Sequence, residues 1–73
     1  MTPLSLELVR LMAVAEMTQA GLAKKVGVYE STVLRWTTGA LTPRVPRICE
    51  IAEALGLPYA KETLMAAAGE ART

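Results

Sequence analysis

The sequence predicts an all-α domain built from five short helices, and three observations support this fold class. Apolar residues recur at spacings of three and four along most of the chain, which is the period of an amphipathic helix. Glycine, proline or threonine separates these apolar segments, at places where helices commonly begin or end. No segment is interpreted as a half-buried strand.

The first helix is predicted to begin after Thr2-Pro3 and to end near Ala15. Leu8 and Leu11 are spaced to share one buried face with their apolar neighbours. A proline suits the first helical turn, because the N–H that it lacks would have no partner within the helix.

The second and third helices are short and are separated by one glycine turn. Thr18 is placed to cap the second helix, which is predicted to end at Val26 or just before, because Gly27 suits a left-handed turn. The third helix is predicted from about Glu30 to Thr38, closed by Gly39. Its buried side is formed by Val33 and Trp36, three residues apart.

Two further helices complete the predicted domain. The fourth begins at residue 45 or 46 and ends at residue 55, before Gly56, and the fifth covers about 59–68 and ends at Gly69. The last residues, 70–73, are expected to fray, as chain ends commonly do.

Composition limits the classes of function. With 73 residues the chain forms one domain, residues 1–73, and 52% hydrophobic residues argue against disorder. This apolar content is high enough to leave surface for a protein partner or a second copy. The net charge is only +1, so any binding to nucleic acid must depend on where individual charges lie.

The chemistry of the side chains argues against an enzyme. Cys49 is the single cysteine and the chain contains no histidine, which excludes an internal disulfide and gives no support for a zinc site or a Cys–His pair. We interpret Cys49 as a packing residue and predict neither a cofactor nor a metal. The apolar opening, residues 4–17, is interrupted by charges and is too short to span a bilayer, so we expect a cytoplasmic protein with no membrane partner.

The second and third helices carry a recognisable pattern that continues into the fourth. The pattern is Thr18-Gln19-x-x-Leu22-Ala23-x-x-x-Gly27-Val28-x-x-Ser31-Thr32-Val33-x-Arg35-Trp36-x-x-Gly39, followed by Pro43 and Ile51-Ala52-x-Ala54-Leu55-Gly56. It resembles the phage-repressor and Cro-like helix-turn-helix family, the xenobiotic-response-element type of transcriptional regulator. The resemblance implies a compact, lambda-repressor-like domain of five helices, in which helices 2 and 3 form a helix-turn-helix. It also implies binding to double-stranded operator DNA as a two-fold homodimer, and a bacterial or phage origin.

The same resemblance assigns roles to individual positions. Base readout falls to four residues of the third helix: Glu30, Ser31, Thr32 and Arg35. Phosphate contact or positioning falls to Gln19, Tyr29, Thr38, Thr42 and Arg44. The side chains suit these roles, because arginine pairs with two acceptors of guanine and glutamate accepts from the amino group of cytosine. Glu30 and Arg35 also have plainer interpretations, as a carboxylate that stabilises the start of a helix and as a solvated surface charge.

Two departures from the family pattern bear on function. The family often pairs an arginine in the first helix with a glutamate late in the third, and here the two positions are Met12 and Thr37. An uncharged replacement of both partners is compatible with an intact fold. The loop at 40–42, often basic in the family, is neutral, which reduces the attraction to phosphates.

A second function therefore stays open beside sequence-specific DNA binding. The chain could serve as a protein-interaction module on the same fold, an antirepressor or an antitoxin-like partner. Leu34 and Leu41, expected to be exposed, and the apolar run at 64–68 exceed what one core requires. Leu34 and Leu41 fit contacts with thymine methyl groups or the DNA backbone as well as a protein interface, and part of the run at 64–68 fits the surface of a second subunit.

Overall fold

The computed structural model describes the backbone of residues 2–72 and the side chains of residues 2–69. The described chain forms five α-helices, which confirms the all-α prediction. They are α1 (Pro3–Val14), α2 (Gln19–Val26), α3 (Glu30–Thr38), α4 (Val45–Leu55) and α5 (Ala60–Arg72). The bounds of α2, α3 and α4 agree with those expected from the sequence.

Threonine side chains begin the first two helices. The hydroxyl of Thr2 accepts a hydrogen bond from the amide of Ser5 at 3.1 Å, and the hydroxyl of Ser5 accepts one from the amide of Thr2 at 2.9 Å. The hydroxyl of Thr18 accepts a bond from the amide of Gly21 at 3.0 Å. Each bond supplies a partner to a backbone donor that the first helical turn leaves free, and the predicted Thr18 cap is confirmed.

Left-handed glycines end the middle helices, as the sequence indicated. Gly27, Gly39 and Gly56 have φ angles of +87°, +86° and +71°, a region that other residues enter at a cost. Gly69, by contrast, was wrongly expected to end α5. It lies within the helix, which continues to Arg72 because good helix formers surround it. The helix also begins at Ala60 rather than at Tyr59. The expected fraying of 70–73 stays a prediction, and Thr73 lies outside the described residues.

One non-glycine residue also occupies the left-handed region. Glu16, between α1 and α2, has a φ of +53°. Its amide donates to the carbonyl of Ala13 at 3.1 Å, and the amide of Met17 donates to the carbonyl of Met12 at 2.9 Å. These bonds hold the tight turn that sends α2 away from α1, at the cost of backbone strain at Glu16.

Apolar side chains from every described helix form one core. Helix α1 packs against α3 and α5, α2 packs against α3 and α4, and α4 packs against α5. Large side chains that are no more than 1% exposed in this core include Leu8, Leu11, Leu22, Val33, Ile48, Ile51 and Leu64, and Trp36 beside them is 3% exposed. Because α3 is held by both α1 and α2, its position on the domain is fixed by packing on two sides.

The two uncharged positions that depart from the family pattern are both buried. Met12 is 7% exposed and Thr37 is 6% exposed. The hydroxyl of Thr37 donates to the carbonyl of Leu34 at 2.9 Å, so its polar group is satisfied within α3. Among the described residues no buried side-chain nitrogen or oxygen lacks a partner. The neutral replacement therefore leaves no stranded charge in the core.

Candidate nucleic-acid interface

The turn between α2 and α3 is set by two hydrogen bonds to one carbonyl. The amides of Gly27 and Val28 both donate to the carbonyl of Ala23, at 2.8 Å and 3.0 Å. This closes α2 with a left-handed glycine and redirects the chain into α3. The carbonyl of Tyr29 then accepts from the amides of Thr32 and Val33, at 2.9 Å and 3.3 Å, which begins α3.

Helix α3 separates a buried face from a polar exposed face. Val33, Trp36 and Thr37 face the core, where none is more than 6% exposed. The predicted base-reading residues lie on the remaining surface of α3: Glu30, Ser31 and Arg35 are exposed, and Thr32 is partly exposed at its edge. The structure thus brings all four together on one nine-residue helix.

The exposed polar side chains of α3 are not used to hold the domain together. Among the described residues, no hydrogen bond and no ion pair engages the side chains of Glu30, Ser31 or Arg35. Two arginines outside α3 differ, since Arg10 pairs with Glu7 at 2.6 Å and Arg47 with Glu50 at 2.9 Å. The donors and acceptors of these three side chains therefore have no protein partner within the described residues.

Four of the predicted phosphate-contacting residues lie at the two ends of α3 or in the loop that follows it. Tyr29 lies directly before α3 and is 83% exposed. Thr38 is exposed at the end of α3, and Thr42 and Arg44 are exposed in the loop before α4. The amide of Leu41 donates to the carbonyl of Arg35 at 3.2 Å, which ties this loop to α3.

Gln19 is a predicted positioning residue that lies on α2, the helix packed against α3. It is the first residue of α2 and is partly exposed. Within residues 2–69, no hydrogen bond links its side chain to α3. A role for Gln19 in bracing α3 stays a prediction.

Charge is distributed more unevenly than the net value of +1 suggests, and the sequence prediction missed this. Residues 18–44 contain four basic residues and one acid, Glu30, a net charge of +3. The rest of the chain contains four basic and six acidic residues, a net charge of −2. Counting charges by segment would have revealed the asymmetry. One of these four basic residues, Lys25, borders a depression that Glu50 and Glu53 of α4 also line. Its charge therefore lies near two carboxylates.

The ion pair between Glu7 and Arg10 on α1 shifts the pKa of both groups. The hydrogen bond from Arg10 lowers the pKa of Glu7 below its ordinary value, and the charge of Arg10 acts in the same direction, against the partial burial that raises it. The same pairing raises the pKa of Arg10. Glu7 and Arg10 both lie on α1, so this ion pair belongs to the surface of that helix and not to α3.

Comparison with known proteins finds a family match over most of the chain. A family model described as a helix-turn-helix domain, of the Cro/C1 type, matches residues 3–68. Neither the curated proteins nor the solved structures contain a significant match to the chain. None of the helices that the structure describes is long and apolar enough to cross a membrane.

Proposed function

Because the chain belongs to a Cro/C1-type family of helix-turn-helix domains, we propose that it is a sequence-specific transcriptional regulator, specifically a repressor. It places α3 in the major groove of a pseudo-palindromic operator and acts as a homodimer. As a DNA-binding protein it works in the cytoplasm of a bacterium, its origin being chromosomal, plasmid or phage.

The exposed face of α3 is the observation that carries this proposal. The major groove of B-DNA is about 12 Å wide and admits one helix, and its base edges offer donors and acceptors that polar side chains can pair with. Arg35 suits guanine, Glu30 suits the amino group of cytosine, and Ser31 suits either a base or a phosphate. Their side chains make no hydrogen bond within the described part of the chain, so DNA would not have to displace an internal partner.

The distribution of charge along the chain also supports a domain that faces DNA with α2 and α3. The net +3 of residues 18–44 attracts the phosphate backbone, and the net −2 of the remaining residues repels it. DNA approaching the domain is therefore steered towards the segment that contains α2 and α3. The attraction is modest in size, so a monomer should bind weakly and two copies on one duplex should bind far more tightly.

Selection from random duplex DNA tests the proposal. The protein is incubated with the pool at low salt, bound duplexes are amplified over several rounds, and light scattering gives the mass of the complex with the enriched duplex. We expect an inverted repeat whose half-sites lie about 34 Å apart, one helical turn, and a complex that holds two copies of the chain. Failure to enrich any sequence would refute sequence-specific binding, and enrichment of an asymmetric site bound by one copy would refute the homodimer.

One observation favours a second candidate, a protein-interaction module. The outer face of α1 exposes Leu6, Val9 and Val14, at 56%, 42% and 50%. Arg10, the basic residue of this face, is engaged by Glu7. Such a face fits an apolar partner surface better than it fits DNA. This candidate predicts that DNA affinity is weak and the same for every sequence, which the selection would reveal directly.

A further inference from the structure

Leu34 is an apolar side chain within the polar face of α3. It is 47% exposed, the largest apolar exposure within Glu30–Thr38. Residues three and four apart on a helix are neighbours, so Leu34 adjoins Glu30, Ser31 and Thr38. Its carbonyl accepts the hydroxyl of buried Thr37 at 2.9 Å. Thr37, at 6% exposure, occupies the core side of this turn, whereas the Leu34 side chain faces outward.

The core does not account for this leucine. Val33 and Trp36 already bury the inner side of α3, at 0% and 3% exposure. A leucine cannot hydrogen bond to a base edge or to a phosphate, so it offers a DNA ligand only an apolar contact. In the major groove the C5-methyl group of thymine is the apolar element that distinguishes one base pair from another.

We propose that Leu34 is a specificity-determining residue that packs against the methyl group of a thymine in each half-site. This inference rests on the proposed placement of α3 in the major groove. Since Glu30 and Ser31 lie one turn before Leu34, the thymine lies beside the bases or phosphates that these two residues contact. Leu34 thus adds a requirement for thymine to a face whose other members recognise hydrogen-bonding groups.

Replacing thymine by deoxyuridine tests the contact, because the two bases differ only by the methyl group. In the duplex enriched by selection, each thymine of both half-sites is replaced in turn, and the dissociation constant is measured by fluorescence anisotropy at fixed salt. We expect one symmetric pair of positions at which the loss of the methyl group weakens binding by about fourfold per methyl. The remaining thymines should tolerate the replacement.

Variants of Leu34 assign the effect to this side chain. Leu34→Ala should weaken binding to the thymine duplex and should remove the difference between thymine and deoxyuridine at that position. Leu34→Met, which keeps an apolar contact, should restore most of the difference. Leu6→Ala is the matched control, since Leu6 is 56% exposed on α1, and it should leave the difference unchanged. Circular dichroism confirms that each variant is folded.

The outcomes separate this inference from the function on which it rests. If the protein binds the enriched duplex and no thymine is sensitive to deoxyuridine, the Leu34 contact is refuted and the proposed function stands. The same conclusion follows if Leu34→Ala keeps the full sensitivity. If the selection enriches no duplex, both proposals fail together.

Discussion

The hydroxyl of Thr38 donates a hydrogen bond to the carbonyl of Arg35 at 3.3 Å, the same carbonyl that accepts the amide of Leu41 at 3.2 Å. Arg35 thus anchors the end of α3 and the loop that follows through its backbone, while its side chain stays free of both contacts. The loop and the polar face of α3 are therefore coupled, and displacement of one changes the position of the other.

This bond predicts a small contribution from Thr38 to DNA binding. A phosphate oxygen accepts hydrogen bonds, so Thr38 could donate to a phosphate only by giving up its bond to Arg35, and the exchange gains little. We expect Thr38→Val to weaken binding to the enriched duplex by less than about twofold. Ser31→Ala, which removes a hydroxyl that makes no internal bond in the described residues, should cost more. The reverse order, measured by anisotropy, would show that Thr38 is the more important contact.

Two glycines predict opposite responses to the same substitution. Gly27 has a φ of +87°, and a Cβ there would meet no atom within 4 Å, so Gly27→Ala introduces backbone strain without a clash. We expect it to destabilise the domain by about 1 to 2 kcal/mol. Gly69 lies within α5 and also has room for a Cβ, so Gly69→Ala should stabilise the helix by up to about 1 kcal/mol. Urea denaturation measures both, and equal signs would contradict the assigned backbone conformations.

The left-handed conformation of Glu16 predicts a stabilising change. A glutamate pays about 1 to 2 kcal/mol for this conformation, and a glycine pays little beyond its greater freedom when unfolded. Glu16→Gly should therefore raise the melting temperature by a few degrees. Ala13→Gly, at an exposed position in the last turn of α1, is the control; it should lower the melting temperature, because glycine costs a helix up to about 1 kcal/mol of stability. A loss of stability in both variants would refute the strain at Glu16.

The lowered pKa of Glu7 predicts a pH-dependent contribution to stability. A carboxyl group whose pKa is lower in the folded state stabilises the fold above its unfolded pKa, about 4.5, and loses that contribution as the pH falls through the folded value. Glu7→Gln should therefore destabilise the protein at pH 7 by less than about 1 kcal/mol, and the difference from the wild type should vanish in acid. Thermal melts of the wild type and of Glu7→Gln between about pH 2.5 and pH 7, roughly two units either side of that pKa, measure the difference in stability.

Sequence predicted the helices best where two local signals agreed. Helix α3 was placed correctly because Val33 and Trp36 show helical spacing and Gly39 follows as a left-handed end. Gly69 misled the prediction of α5, since a glycine ends a helix only where the chain must turn, and nothing in its neighbours marks a turn. The strain at Glu16 had no local signal at all, because glutamate is not a residue that usually marks a left-handed turn.

The sequence predicted which polar residues lie together on α3, and it also held an unused signal for which arginine side chains lack an ion-pair partner. The family pattern placed Glu30, Ser31 and Arg35 on one face, and the structure brings them together on α3. Which arginines are engaged depends on side-chain geometry: Arg10 and Arg47 lie three residues from the carboxylates that hold them. Arg35 has no acid at that spacing, a signal that the sequence contained and that the prediction did not use.

The polar face of α3 as the DNA-reading surface is tested most directly by two charge-matched variants. Arg35→Ala and Arg10→Ala each remove one positive charge, the first from the face of α3 and the second from the ion pair on α1. With the enriched duplex at fixed salt, Arg35→Ala should raise the dissociation constant by about 5- to 150-fold, the worth of one good base contact. Arg10→Ala should change it by less than about twofold, the scale of a distant, screened charge. Equal effects of the two variants, or no effect of Arg35→Ala, would contradict the account.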